Sequence, residues 1–133
     1  MTSREVLLQA LNDFLTKDVQ PQLSGASAYK TRIARNLINL LLREVSLGDS
    51  LAALDAIGAE TFALEGDFSE SLSVALRDGQ VLEDEALITF LRRRTLLQMA
   101  IDNPRYSGFR EACARWPDLV GKLGEELGEE LGE

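Results

Sequence analysis

Between Ser27 and Ser46 the chain carries a helical pattern that is apolar around most of its circumference. At about 100° per residue, Arg32, Arg35, Asn36, Asn39 and Arg43 fall within one polar arc. Ile33, Ala34, Leu37, Ile38, Leu40, Leu41, Leu42 and Val45 fill the rest. So wide an apolar surface needs cover on more than one side, which predicts the central helix of a bundle, closed by Gly48. Elsewhere Pro21, Gly25, Gly58, Gly66, Gly79, Pro104, Gly108 and Pro117 part segments whose periodicity is helical rather than alternating. The expected fold is therefore all-α: a single compact bundle of five to six helices over about residues 2–116, with a flexible acidic tail over 117–133.

Local signals place the other helices. Thr2 with Glu5 three residues on predicts a capping box at the first helix. Its Leu7, Leu8, Leu11, Phe14 and Leu15 share a face, and it ends before Pro21. Short helices are expected over about 49–57 and 67–78, the second capped by Asp67. A long helix over about 83–101 has Ala86, Leu87, Phe90, Leu91, Leu97 and Ile101 as its main apolar face. Pro104 forbids its continuation. Asn103 suits a left-handed cap, although the following proline pushes it toward extended backbone. A last helix is expected over about 107–115.

The C-terminal residues repeat Leu-Gly-Glu-Glu, with Leu123, Leu127 and Leu131 on one potential helical face. Each glycine there costs a helix about 1 kcal/mol relative to alanine, and the carboxylates repel one another. The tail reads first as a disordered solubilising segment and second as an interaction segment. From Asp118 onward six carboxylates face one lysine, so most of the net charge of −8 belongs to this stretch.

Composition excludes several chemistries. The chain has no histidine, which removes Ser-His-Asp and Cys-His catalysis and any His-bearing zinc site. The lone Cys113 cannot form an intramolecular disulfide or a cysteine-cluster metal centre. No glycine-rich phosphate loop is present, and Ser24-Gly25-Ala26-Ser27 is a turn entering a helix. No apolar run approaches the ~20 residues of a membrane span. The first residues open a polar-faced helix rather than a signal peptide, which with a single thiol predicts a cytoplasmic protein. An acidic chain also argues against binding the phosphate backbone of nucleic acid. No catalytic residue, metal or cofactor is assigned, and an enzymatic role is not favoured.

Arginine supplies the candidate binding groups. Arg94 projects close to the middle of the long helix's apolar face, where a charge must snorkel, pair or line a cavity. A structural ion pair, with Asp102 or an acid from another helix, is one explanation. Reception of an anionic ligand at a pocket floor is the other, with Arg32, Asn36, Arg105 and Tyr106 as the accompanying residues. Arg92 and Arg93 read as solvated charges. Tyr106 is expected to pack its ring on the core and keep its hydroxyl at the surface.

The run Leu7 to Leu15, then Val19, Pro21 and Leu23, resembles the opening of an uncharacterised bacterial family of all-helical domains of unknown function. The likeness continues through Tyr29, Arg32, Ile33, Ala34, Asn36 and Leu37, then Arg43-Glu44 and Leu47-Gly48. It thins between Ala52 and Glu65, and resumes at Leu91 to Leu97, Ala100 and Asp102-Asn103-Pro104-Arg105-Tyr106. Arg35 departs from the smaller residues common at its position. Members of that family are typically encoded beside acyl-CoA dehydrogenase-like flavoenzymes and phosphotransferase-fold, kinase-like proteins, so the resemblance implies a neighbourhood rather than a reaction.

Three functions are therefore expected. The first is a non-catalytic accessory or binding module for an acyl-CoA or phosphometabolite enzyme, meeting its partner through the second helix's polar arc and the Arg105-Tyr106 loop. The second is a small-molecule anion-binding protein or enzyme with an Arg94-centred pocket. The third is a homodimer that buries apolar surface left over on the second helix.

Overall fold

A computed structural model describes residues 3–121, and among them the regular structure is entirely helical. Six α-helices follow in order: α1 (Arg4–Phe14), α2 (Gly25–Thr61), α3 (Phe68–Arg77), α4 (Glu85–Asp102), α5 (Ser107–Arg115) and α6 (Pro117–Val120). The expected capping role of Thr2 and the leucine repeat of the tail lie outside the described residues. None of the described helices is long and apolar enough to cross a membrane.

The largest departure from the sequence reading is α2. Gly48 does not close it, and the short helix expected over 49–57 is its continuation, giving one helix of 37 residues. Glycine lowers helix stability without forbidding helix, and the turn-favouring Asp49 and Ser50 that follow Gly48 do not interrupt it. At the N-terminus, Ser3 is the cap of α1, its hydroxyl accepting from the Val6 amide at 3.2 Å. Asp67 caps α3 as expected, accepting from the Glu70 amide at 3.0 Å. Asp84 does the same for α4 with the Leu87 amide. Asn103 ends α4 with φ −156° and ψ 74°, so the proline's demand for an extended predecessor prevails over the left-handed cap.

The helices gather into two compact units, one reaching to Gly48 and the other starting at Asp49. The first holds α1, a π-helical turn over Leu15–Val19, a 3-10 turn over Gln20–Gln22 and the N-terminal part of α2. Asn12 Nδ2 on α1 donates to Asn39 Oδ1 on α2 at 3.1 Å. Gln20 Nε2 donates to the Ala28 carbonyl at 3.2 Å. Of this unit's large apolar side chains among the described residues, Ile38 and Leu47 are the buried ones.

The second unit holds the rest of α2 and α3 to α6, with a core built on α4. Leu87, Phe90, Leu96, Leu97, Ala100 and Ile101 are buried on that helix, joined by Leu54, Leu72, Ala75, Phe109 and Val120. Ala86, assigned to the apolar face from sequence, is exposed, and Leu96 and Ala100 take that role instead. Phe62 and Phe68 meet Phe90 edge to face, with ring centroids 5.5 and 5.6 Å apart. Residues 117–120, assigned to the tail from sequence, form α6, which packs against α4 and buries Val120.

Candidate functional site

In the second unit Arg94 projects from α4 toward Asp55 on α2. Its Nε donates to Asp55 Oδ1 at 2.7 Å and its Nη2 to Asp55 Oδ2 at 3.1 Å, the parallel two-bond geometry that suits guanidinium and carboxylate. Nη2 also reaches Ser69 Oγ at 3.3 Å, and the guanidinium carbon lies 5.4 Å from the Phe68 ring centre. The two charged side chains are only 24% and 21% exposed. Of the partners expected for Arg94, the acid on another helix is therefore the one found. Asp102 instead accepts from Gln98 Nε2. An anionic ligand taking the Nε–Nη2 edge of Arg94 would have to displace Asp55.

A cleft of about 380 Å³ lies in the same unit, walled by Leu54, Ile57, Phe62 and Phe90, with Glu85 and Arg93 on its polar side. Gly58 follows Ile57 of its wall. A Cβ there would stand 2.7 Å from Phe90 Cε2 and 3.0 Å from Phe68 Cε2, so only glycine lets the aromatic group close against α2. The guanidinium on this cleft belongs to Arg93.

The other candidate residues are dispersed. Arg105 is exposed, in the turn after the buried Pro104. Tyr106 follows it, 52% exposed, with its ring over Gly108 instead of on the core. A Cβ at residue 108 would meet Tyr106 Cε1 at 2.5 Å, so the missing side chain makes room for the ring. Arg32 and Asn36 lie in the first unit, exposed and one turn apart on α2. Arg92, read from sequence as solvated, stacks on Trp116 at 4.7 Å, and Arg115 stacks on the same indole at 4.9 Å. Cys113 is half-buried, and burial pushes its thiol above the ordinary range.

The polar arc of α2 turns inward in part, reversing the expectation. Asn39, Arg35 and Arg43 are half-buried, whereas Tyr29, Ile33, Leu37, Leu41 and Val45 are exposed along the helix at every fourth position. On α1, Leu7, Leu11 and Phe14 are 59%, 48% and 53% exposed, and no residue of that helix is buried. Both rows were visible as helical periodicity; assigning them to a core concealed their exposure.

A sequence model of a family described as a domain of unknown function, DUF6285, matches residues 21–106. The chain belongs to this family. The DUF6285 segment runs from Pro21 to Tyr106, so it takes in α2, α3 and α4, the Arg94–Asp55 pair and the apolar row of α2. The α1 residues that carry part of the sequence resemblance precede it. No curated protein and no solved structure matches the chain significantly.

Proposed function

We propose that this DUF6285 protein is a non-catalytic binding module that acts by protein–protein contact. The observation carrying this reading is the open apolar face of α1. An isolated helix of 11 residues is unstable in water, so helices of this length are held by burial of an amphipathic face. Here Leu7, Leu11 and Phe14 face solvent together. Rows of large apolar side chains left in water mark surfaces that meet another protein.

The resemblance supplies the partner class, an acyl-CoA dehydrogenase-like or phosphotransferase-fold enzyme encoded nearby, with this chain as its accessory subunit. The Arg-centred anion pocket has weaker support, because the carboxylate of Asp55 already occupies the Arg94 guanidinium. Co-purification with those enzymes, using the chain and its Leu11→Asp variant, tests the reading. The expected result is a complex with the parent chain that the variant loses. An unchanged complex in the variant, or none with either chain, would overturn it.

A further inference from the structure

On the exposed side of α2, five residues are arranged symmetrically about Leu37. Ile33 and Leu41 stand four residues before and after it, and Lys30 and Glu44 stand seven before and after. All five are exposed, with Leu37 at 57%. Offsets of four and seven keep side chains on one helical face, so this face has an apolar centre, a cation at one end and an anion at the other. Among the described residues neither Lys30 nor Glu44 has an ion-pair partner.

We infer that this face pairs with a second copy of the same chain, antiparallel, about a two-fold axis at Leu37. That operation sets Leu37 against itself, Ile33 against Leu41, and Lys30 against Glu44 of the second copy at both ends. An isologous interface requires self-complementarity of this kind. A parallel pair would place Lys30 beside Lys30 and Glu44 beside Glu44. Charge therefore selects the direction.

The surface available fits a dimer. Tyr29, Ile33, Leu37, Leu41 and Val45, between 37% and 60% exposed, leave on the order of 500 Å² in water, the upper end of what a monomer ordinarily shows. Two such rows bury at most about 1,000 Å² in all, the scale of a reversible dimer and not of an obligate one. Like charge opposes the approach only weakly near this face. Residues 1–48 hold six basic against four acidic side chains, while the acidic excess lies in residues 49–133.

This inference rests on the reading of the chain as a protein-binding module, yet the two fail separately, because the enzyme-binding test uses α1. The test here is a charge exchange read by sedimentation equilibrium. The parent chain is expected to dimerise with a Kd of about 10 μM. Lys30→Glu and Glu44→Lys should each weaken the dimer by about fivefold or more, since each creates two like-charge contacts. The combined Lys30→Glu/Glu44→Lys variant should restore the parent Kd to within about twofold, because the pairs are re-formed with exchanged signs. All four proteins should have the same helical circular dichroism. A parent chain that stays monomeric to about 500 μM, or a dimer indifferent to the single reversals, would overturn the inference. So would a combined variant as weak as the single ones. Co-purification with an enzyme in any of these cases would leave the module reading standing.

Discussion

Arg94 and Asp55 hold each other through two parallel hydrogen bonds of 2.7 and 3.1 Å, tying the middle of α4 to the C-terminal part of α2. The pair replaces solvent for a cation that the helical register drives onto an apolar face. Single substitutions, Asp55→Ala or Arg94→Ala, should each lower unfolding free energy by about 1–3 kcal/mol, because each strands a partly buried charge. The double variant should be less destabilised than the summed singles, with a coupling of about 1–2 kcal/mol in denaturant titrations. Arg94→Lys should recover little of this, since an ammonium cannot make both bonds in one plane. Strict additivity would show that the pair contributes nothing.

Two glycines in α2 should respond oppositely to the same change. Nothing lies within 4 Å of a Cβ built on Gly48, whereas one on Gly58 runs into Phe90 and Phe68. Gly48→Ala should stabilise by about 0.5–1 kcal/mol through helix propensity and the narrowed unfolded ensemble. Gly58→Ala should destabilise by about 1–2 kcal/mol net, since overpacking the aromatic group outweighs that gain. Thermal melts of the two variants decide it, and a shift in the same direction would contradict the packing described.

These glycines also show what the sequence could and could not tell. Helix class, the Asp67 cap and the stop at Pro104 follow from local chemistry and were legible. Gly48 and Gly58 look identical by propensity, and only the tertiary neighbours of each distinguish a tolerated gap from a required one. Apolar periodicity likewise establishes that Leu7, Leu11 and Phe14, or Ile33, Leu37 and Leu41, share faces. It does not say whether this chain or another covers them. Arg94 was recognisable as a charge needing a partner, but Asp55, 39 residues earlier, becomes that partner only through packing.

Trp116, the sole tryptophan, carries two guanidinium groups over its ring, those of Arg92 and Arg115. Arg92→Ala should remove one of them, cost about 0.5–1 kcal/mol, and shift the fluorescence maximum to the red as water reaches the half-buried indole. Arg93→Ala, one residue on, should leave the emission unchanged. Identical spectra from the two variants would count against the stacking.

Cys113 gives a pH-dependent readout. Burial favours the neutral thiol, so its folded pKa is raised. The folded chain therefore retains a proton that the unfolded chain loses above the ordinary thiol value of about 8.5. The contribution is fully present below that value and declines as pH rises toward the folded pKa. At about pH 8.5, an aromatic disulfide reagent should modify Cys113 more slowly in the folded chain than in the urea-unfolded one. The gap should narrow at higher pH. Equal rates at every pH would contradict the desolvated thiol.

That the exposed Ile33, Leu37 and Leu41 face of α2 binds a second copy of the chain is tested most directly by molar mass from light scattering across a dilution series. The parent chain of 14.7 kDa should rise toward twice that mass with concentration. Leu37→Asp should stay at 14.7 kDa while keeping its helical circular dichroism, and Leu11→Asp should still dimerise. A parent chain that scatters as a monomer throughout, or a dimer that survives Leu37→Asp, would contradict it.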